Sequence, residues 1–151
     1  MTDQGGVHYA DTSALVGAYL AKEPDHAELR ALLLDGDRPV VTSELTRVEF
    51  ASAVAAAARA GRLRRPQVLL DRFDRDCADS GPLTLLTLDP AAVLPLARRL
   101  VREHTVRTLD AIHLAVALTD AVDLAAGEPV SMVTRDRAQA EAAESLGLMP
   151  A

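Results

Sequence analysis

Four short apolar runs, at 7–10, 39–43, 83–88 and 130–134, are separated by stretches whose apolar residues recur at helical spacing. That alternation admits few folds. Strands joined through helices cannot form tight hairpins; they pair in parallel through crossovers, and a parallel sheet needs helices over both faces. The expected class is α/β, a three-layer α/β/α sandwich around a short parallel sheet. The chain has 151 residues, with no repeat, low-complexity run or linker, so residues 1–151 read as one domain. Residues 1–6 carry no pattern and are expected to be disordered.

Local signals punctuate this frame. A helix is expected from Ser13 to Leu20. Pro24-Asp25 opens another, with Asp25 and Glu28 as a capping-box-like pair and Leu29, Leu32 and Leu33 as its apolar stripe, stopping near Gly36. Ser43 is expected to cap a helix reaching Arg59 or Ala60, and Pro66 starts the next. Asp89 caps with Pro90 at the first helical position, while Pro95 is expected to kink or restart the helix, which then runs from about Leu96 to Glu103. Thr108 is expected to cap the most apolar helix, reaching about Ala121, and Asp136 opens a final helix ended by Gly147. With 3% aromatics and no Trp, the core is expected to consist of Leu, Val and Ala.

Composition narrows the function classes. The sole cysteine, Cys77, allows neither an internal disulfide nor a Cys-based zinc site, which suits a reducing cytoplasm. The opening lacks the features of a secretory signal, and no apolar run approaches the roughly 18 residues of a membrane span. A soluble, cytoplasmic protein with no membrane partner is expected. A net charge of −6 with one lysine, Lys22, argues against a uniformly basic nucleic-acid surface but leaves room for a local arginine groove. Arg59, Arg62, Arg64 and Arg65 cluster around one turn, and Arg98, Arg99 and Arg102 share a helix; both sets read first as solvated faces.

Four carboxylates are less easily absorbed. Asp11 and Asp136 each follow a strand, where open α/β sheets place ligand-binding side chains and where helix capping also favours Asp. Glu49 falls on the stripe of Leu45, Val48, Ser52 and Ala56, an expensive place for an unpaired acid. Asp110 opens the most apolar helix, where the helix dipole alone would welcome it. His113 follows three residues later; a carboxylate–imidazole metal pair is one reading, and a hydrogen-bonded core histidine is the favoured one. Glutamines and serines offer no better constellation, and no Ser-His-Asp order, Gly-rich phosphate loop or Cys-His pair occurs.

Taken in order, "HYADTSALV", "SELTRVEFASA", "RTLDAIHLAVAL" and "MVTRDRAQAEAAESLGL" resemble the four acidic motifs of PIN-domain ribonucleases, most closely the VapC-type toxins of bacterial toxin–antitoxin pairs. The resemblance spans about Val7 to Leu148. It implies that Asp11, Glu49, Asp110 and Asp136 converge at one end of the sheet, hold Mg²⁺ or Mn²⁺ and carry the catalysis. It places Thr12, Ser13 and Thr134 as hydroxyls lining that pocket and His113 at a position that is not a metal ligand. It further implies an RNA substrate, a VapB-type antitoxin as partner and a homodimer. A non-catalytic PIN-fold binding or regulatory module is the alternative.

Elementary electrostatics agrees with such a site. Two carboxylates about 4 Å apart repel by about 4 kcal/mol at an effective dielectric near 20, so a cluster needs protons or a divalent cation. Oxygen-only donors select Mg²⁺ or Mn²⁺ over zinc. Two rivals fit worse. A haloacid-dehalogenase-like phosphatase wants a second Asp two residues after the first, where Ser13 stands, and a receiver domain wants a lysine after a late strand.

Overall fold

The computed structural model describes residues 5–151. Residues 1–4 of the segment expected to be disordered lie outside the described residues; Gly5 and Gly6 lead directly into the first strand. In chain order the elements are β1 (Val7–Ala10), α1 (Thr12–Tyr19), α2 (His26–Leu33), β2 (Val40–Ser43), α3 (Leu45–Arg59), α4 (Pro66–Asp76) and β3 (Leu83–Leu86). There follow α5 (Pro90–Glu103), α6 (Thr108–Val116), a π-helical turn (Ala117–Ala121), α7 (Val122–Ala125), β4 (Val130–Val133), α8 (Arg137–Ser145) and β5 (Met149–Pro150).

All pairings are parallel and the sheet order is β3-β2-β1-β4-β5. The first three strands step outward in one direction; the chain then returns to lay β4 on the other side of β1. The β1–β4 boundary is therefore the topological switch point, where a crevice opens beyond the carboxyl ends of the strands.

Strand alternation sorts the core into two layers. Tyr9, Val41, Val130 and Met132 face one way and pack with Val93, Ala97 and Leu100 of α5, Leu114 of α6 and Ala143 of α8. Ala10, Val40, Leu83 and Val133 face the other way, against Leu15, Leu33, Phe50, Val54 and Phe73 of α1–α4. The core is not built from Leu, Val and Ala alone. All four aromatic residues are buried, and Phe50 stacks on Phe73 at 4.3 Å with Tyr19 edge-on at 5.2 Å from Phe50. Scarcity made the aromatics look marginal, whereas their size made them the pins between α1, α3 and α4. Gly17 brings α1 against α2: a Cβ there would stand 2.4 Å from Leu29 Cδ1.

Other departures from the sequence reading have local causes. Helix α5 runs unbroken through Pro95, because that residue is exposed and water can take the carbonyl its ring leaves unpaired, while Val93, Ala97 and Leu100 keep the buried face intact. Asp25 makes no cap bond; its carboxylate is instead 3.0 Å from Arg135 Nε. Thr108 is the first helical residue rather than the cap, which is Arg107. Ser43 does supply a capping bond, accepting from Leu45 N–H at 3.1 Å, one residue before the cap position at Glu44. Strand β5 is two residues long and contains a proline, so no alternation announced it. Among the described residues no helix is long and apolar enough to cross a membrane.

Candidate active site

Asp11 leaves β1 as the N-cap of α1. Its Oδ1 accepts from Ala14 N–H at 2.9 Å and from the Ser13 hydroxyl at 2.8 Å, and its Oδ2 accepts from the Thr134 hydroxyl at 2.6 Å. The residue is only 4% exposed. Burial pushes its carboxyl above the ordinary range, against the pull of the Thr134, Ala14 and Ser13 donors. Asp11 thus caps α1 while standing at the carboxyl end of β1, beside the switch point.

Across the switch point, Asp136 caps α8 by accepting from Gln139 N–H at 3.1 Å. Gln139 is fully buried, with Oε1 2.9 Å from the Thr134 hydroxyl and Nε2 donating to the Asp110 carbonyl at 3.2 Å. That side chain ties the exit of β4 to the first turn of α6. The Arg107 guanidinium bridges the two acids nearby, 3.4 Å from Asp110 Oδ2 and 3.5 Å from Asp136 Oδ2.

Glu49 arrives on α3. The buried stripe of that helix is Thr46, Phe50, Val54 and Ala57, and the stripe expected from sequence is wrong: Val48, Ser52 and Ala56 are exposed. The alanine-rich helix hides its orientation, and Glu49 sits at the border of its true buried face. Oε1 accepts from the Thr12 hydroxyl at 2.8 Å and lies 2.7 Å from His113 Nε2. Burial pushes the Glu49 carboxyl up, but the hydrogen bond and charge of His113, with the Thr12 hydroxyl, outweigh it and hold the group below its usual range. His113 Nδ1 is 2.7 Å from the Tyr9 hydroxyl. Burial raises the Tyr9 hydroxyl well above its ordinary value, and both ring nitrogens of His113 are engaged, Nδ1 with Tyr9 and Nε2 with Glu49. His113 is a buried, fully bonded histidine, in agreement with the favoured reading.

The predicted acids thus stand at the same end of the sheet in two groups. Asp11 and Glu49 are joined through the adjacent Thr12, and Asp110 and Asp136 through Arg107. Thr134 and Gln139 connect the groups. Hydroxyls, His113 and Arg107 stand against the carboxylates, and among the described residues no three His, Cys, Asp or Glu side chains are gathered tightly enough to hold a metal as they stand. Sequence reasoning passed over Tyr9, Arg107, Arg135 and Gln139. Only Gln139 left a signal, an amide three residues before Ala142 on the apolar face of α8. Arg135 fastens the β4 exit to the α1–α2 turn through Glu23 at 3.2 Å and Asp25 at 3.0 Å.

The PIN domain family model matches residues 9–145. The chain belongs to the PIN-domain family. This PIN domain is 39% identical over 112 residues to ribonuclease VapC47 of Mycobacterium tuberculosis, a match covering 72% of the chain and 73% of the relative. It is 34% identical over 144 residues to ribonuclease VapC35 of the same organism, covering 93% of the chain and 92% of the relative. Among solved structures it is similar to the crystal structure of M. tuberculosis VapC20, described as a sarcin-ricin loop cleaving toxin. The TM-score is 0.67 at 18% identity over 95% of this chain and 98% of that one, which establishes the shared fold.

Proposed function

We propose that this PIN domain is an endoribonuclease dependent on Mg²⁺ or Mn²⁺ and the toxin of a toxin–antitoxin pair. The observation that carries the reading is the arrival of Asp11, Glu49, Asp110 and Asp136 at the carboxyl ends of the strands around the switch point. The donor chemistry fits a hard divalent cation. All four candidate ligands are carboxylates, and one of them, Asp11, is buried with its charge opposed by desolvation, a state that a cation relieves. Asp11, Glu49, Asp110 and Asp136 would hold the ion, which supplies an activated water and charge neutralisation at the scissile phosphate.

The protein's own groups would do the positioning. Ser13 and Thr134 fix the rotamer of Asp11, and Thr12 with His113 fixes Glu49, so that these carboxylates keep their aim when the substrate arrives. VapC-type relatives support RNA as the substrate, a VapB-type antitoxin as the partner and a cytoplasmic setting; a homodimer belongs to the same reading. Incubation with a panel of structured and unstructured RNAs tests it. Cleavage with Mn²⁺ or Mg²⁺ that stops in EDTA is expected. Binding without cleavage under every condition would instead identify a regulatory PIN-fold module.

A further inference from the structure

Beside the acids the molecule opens into a cleft of about 560 Å³, within the roughly 300–1,000 Å³ usual for ligand sites. Its lining combines Arg102, His104 and Arg107, from the end of α5 and the loop to α6, with Asp110 and Asp136. The acids have been given a role; the basic side chains have not. Glu103, also in the lining, pairs with Arg99 at 3.8 Å, and among the described residues Arg102 has no ion pair. Arg107 is 84% exposed, and its contacts to the two acids, at 3.4 and 3.5 Å, are long. The two carboxylates are half-buried, but a guanidinium this exposed and this distant contributes little to either pair and leaves easily.

A divalent cation on Asp110 and Asp136 would both take over the countercharge and repel the guanidinium. Arg107 would then stand in the cleft with Arg102 and His104, its carboxylate partners lost. The matching ligand is a backbone phosphate, because guanidinium binds phosphate in a planar, bidentate manner. Resting on the metal-dependent ribonuclease reading, we propose that this cleft seats an RNA phosphate flanking the acidic centre. Arg107 passes from the Asp110–Asp136 pair in the metal-free protein to that phosphate once the cation is bound. The exchange couples the two ligands: metal strengthens RNA binding and RNA strengthens metal binding by the same factor.

The test is Arg107→Gln, read without turnover. In calorimetry with Mn²⁺ alone the variant loses an internal competitor and binds the ion more tightly, by about tenfold. In fluorescence anisotropy with Mn²⁺ and a short phosphorothioate-linked RNA it binds more weakly, by several-fold. The slope of its log affinity against log salt concentration falls by about 0.7, the value for one lost contact to a single strand. Arg30→Gln, which removes the same charge from the ion pair between α2 and Asp35 just beyond it, changes none of these readings. Mn²⁺ affinity that stays the same or falls in Arg107→Gln overturns the proposal, as does tighter Mn²⁺ binding with RNA affinity and salt slope unaltered. Wild-type protein that binds no Mn²⁺ at all overturns the metal reading beneath it, and the two failures are told apart by that single titration.

Discussion

Asp110 differs from Asp89 in its surroundings more than in its local role. Both stand at helix starts, but Asp89 only accepts from Ala91 N–H, whereas Asp110 shares Arg107 with Asp136. Asp110→Asn keeps the shape and removes one charge. Cleavage is expected to fall by about a hundredfold or more, since a candidate ligand is gone. The metal-free melting temperature should hold or rise, because a surface pair worth under about 1 kcal/mol is exchanged for relief of repulsion with Asp136. Asp89→Asn should keep full activity, Asn being an equally good cap. Nuclease assays and melts in EDTA read both, and full activity in Asp110→Asn would remove the residue from the site. At this scale Asp11 and Asp136 stood out as candidates because a carboxylate at a strand exit is chemically conspicuous, whereas Glu49 was singled out on a stripe that the fold does not bury. Tyr9 was not legible: its hydroxyl matters through His113, 104 positions away, a contact that only the fold creates.

Elements were legible where one period dominated. The four strands and the major helices announced themselves, while β5 was too short to carry a period and Pro95 was read by its type rather than its exposed placement. The long apolar helix expected to reach Ala121 does so, but through a π-helical turn that no apolar pattern encodes. That turn carries Asp120, whose Oδ2 is buried without a hydrogen-bond partner. Burial, and then the charges of Asp123 and Asp89, raise its carboxyl above the ordinary value. A raised folded value means that the ionised form opposes folding. The penalty is present at neutral pH and disappears as pH falls through the folded value toward that of the unfolded chain. Asp120→Asn is therefore expected to raise the melting temperature at pH 7, with the gain vanishing near pH 3. A constant gain across that range would place its origin outside ionisation.

For the whole molecule, the alternating pattern gave the sandwich, and the resemblance gave its acidic end. The strand order that makes a switch point between β1 and β4 lay beyond both, since nothing in the residues tells the fourth strand to return beside the first. That return leaves a sheet one strand thick carrying two separate packing layers, and each layer holds one of the two tyrosines. Tyr9 lies with α5–α8, and Tyr19 lies with α1–α4, its hydroxyl bonded to the Asp76 carboxylate. In a chain without tryptophan, near-ultraviolet emission therefore comes from one lamp on each side of the sheet. Tyr19→Phe leaves only the lamp that touches His113 and so the acidic end. Tyr9→Phe leaves only the far one, at the cost of about 1–2 kcal/mol for the His113 nitrogen left unpaired. Because one sheet backs both layers, the emission melt of each variant should coincide with its own far-ultraviolet melt, and Mn²⁺ should move both signals of each variant upward together. An Mn²⁺ response confined to the Tyr9 lamp would mean that the two halves of the sandwich unfold as separate bodies.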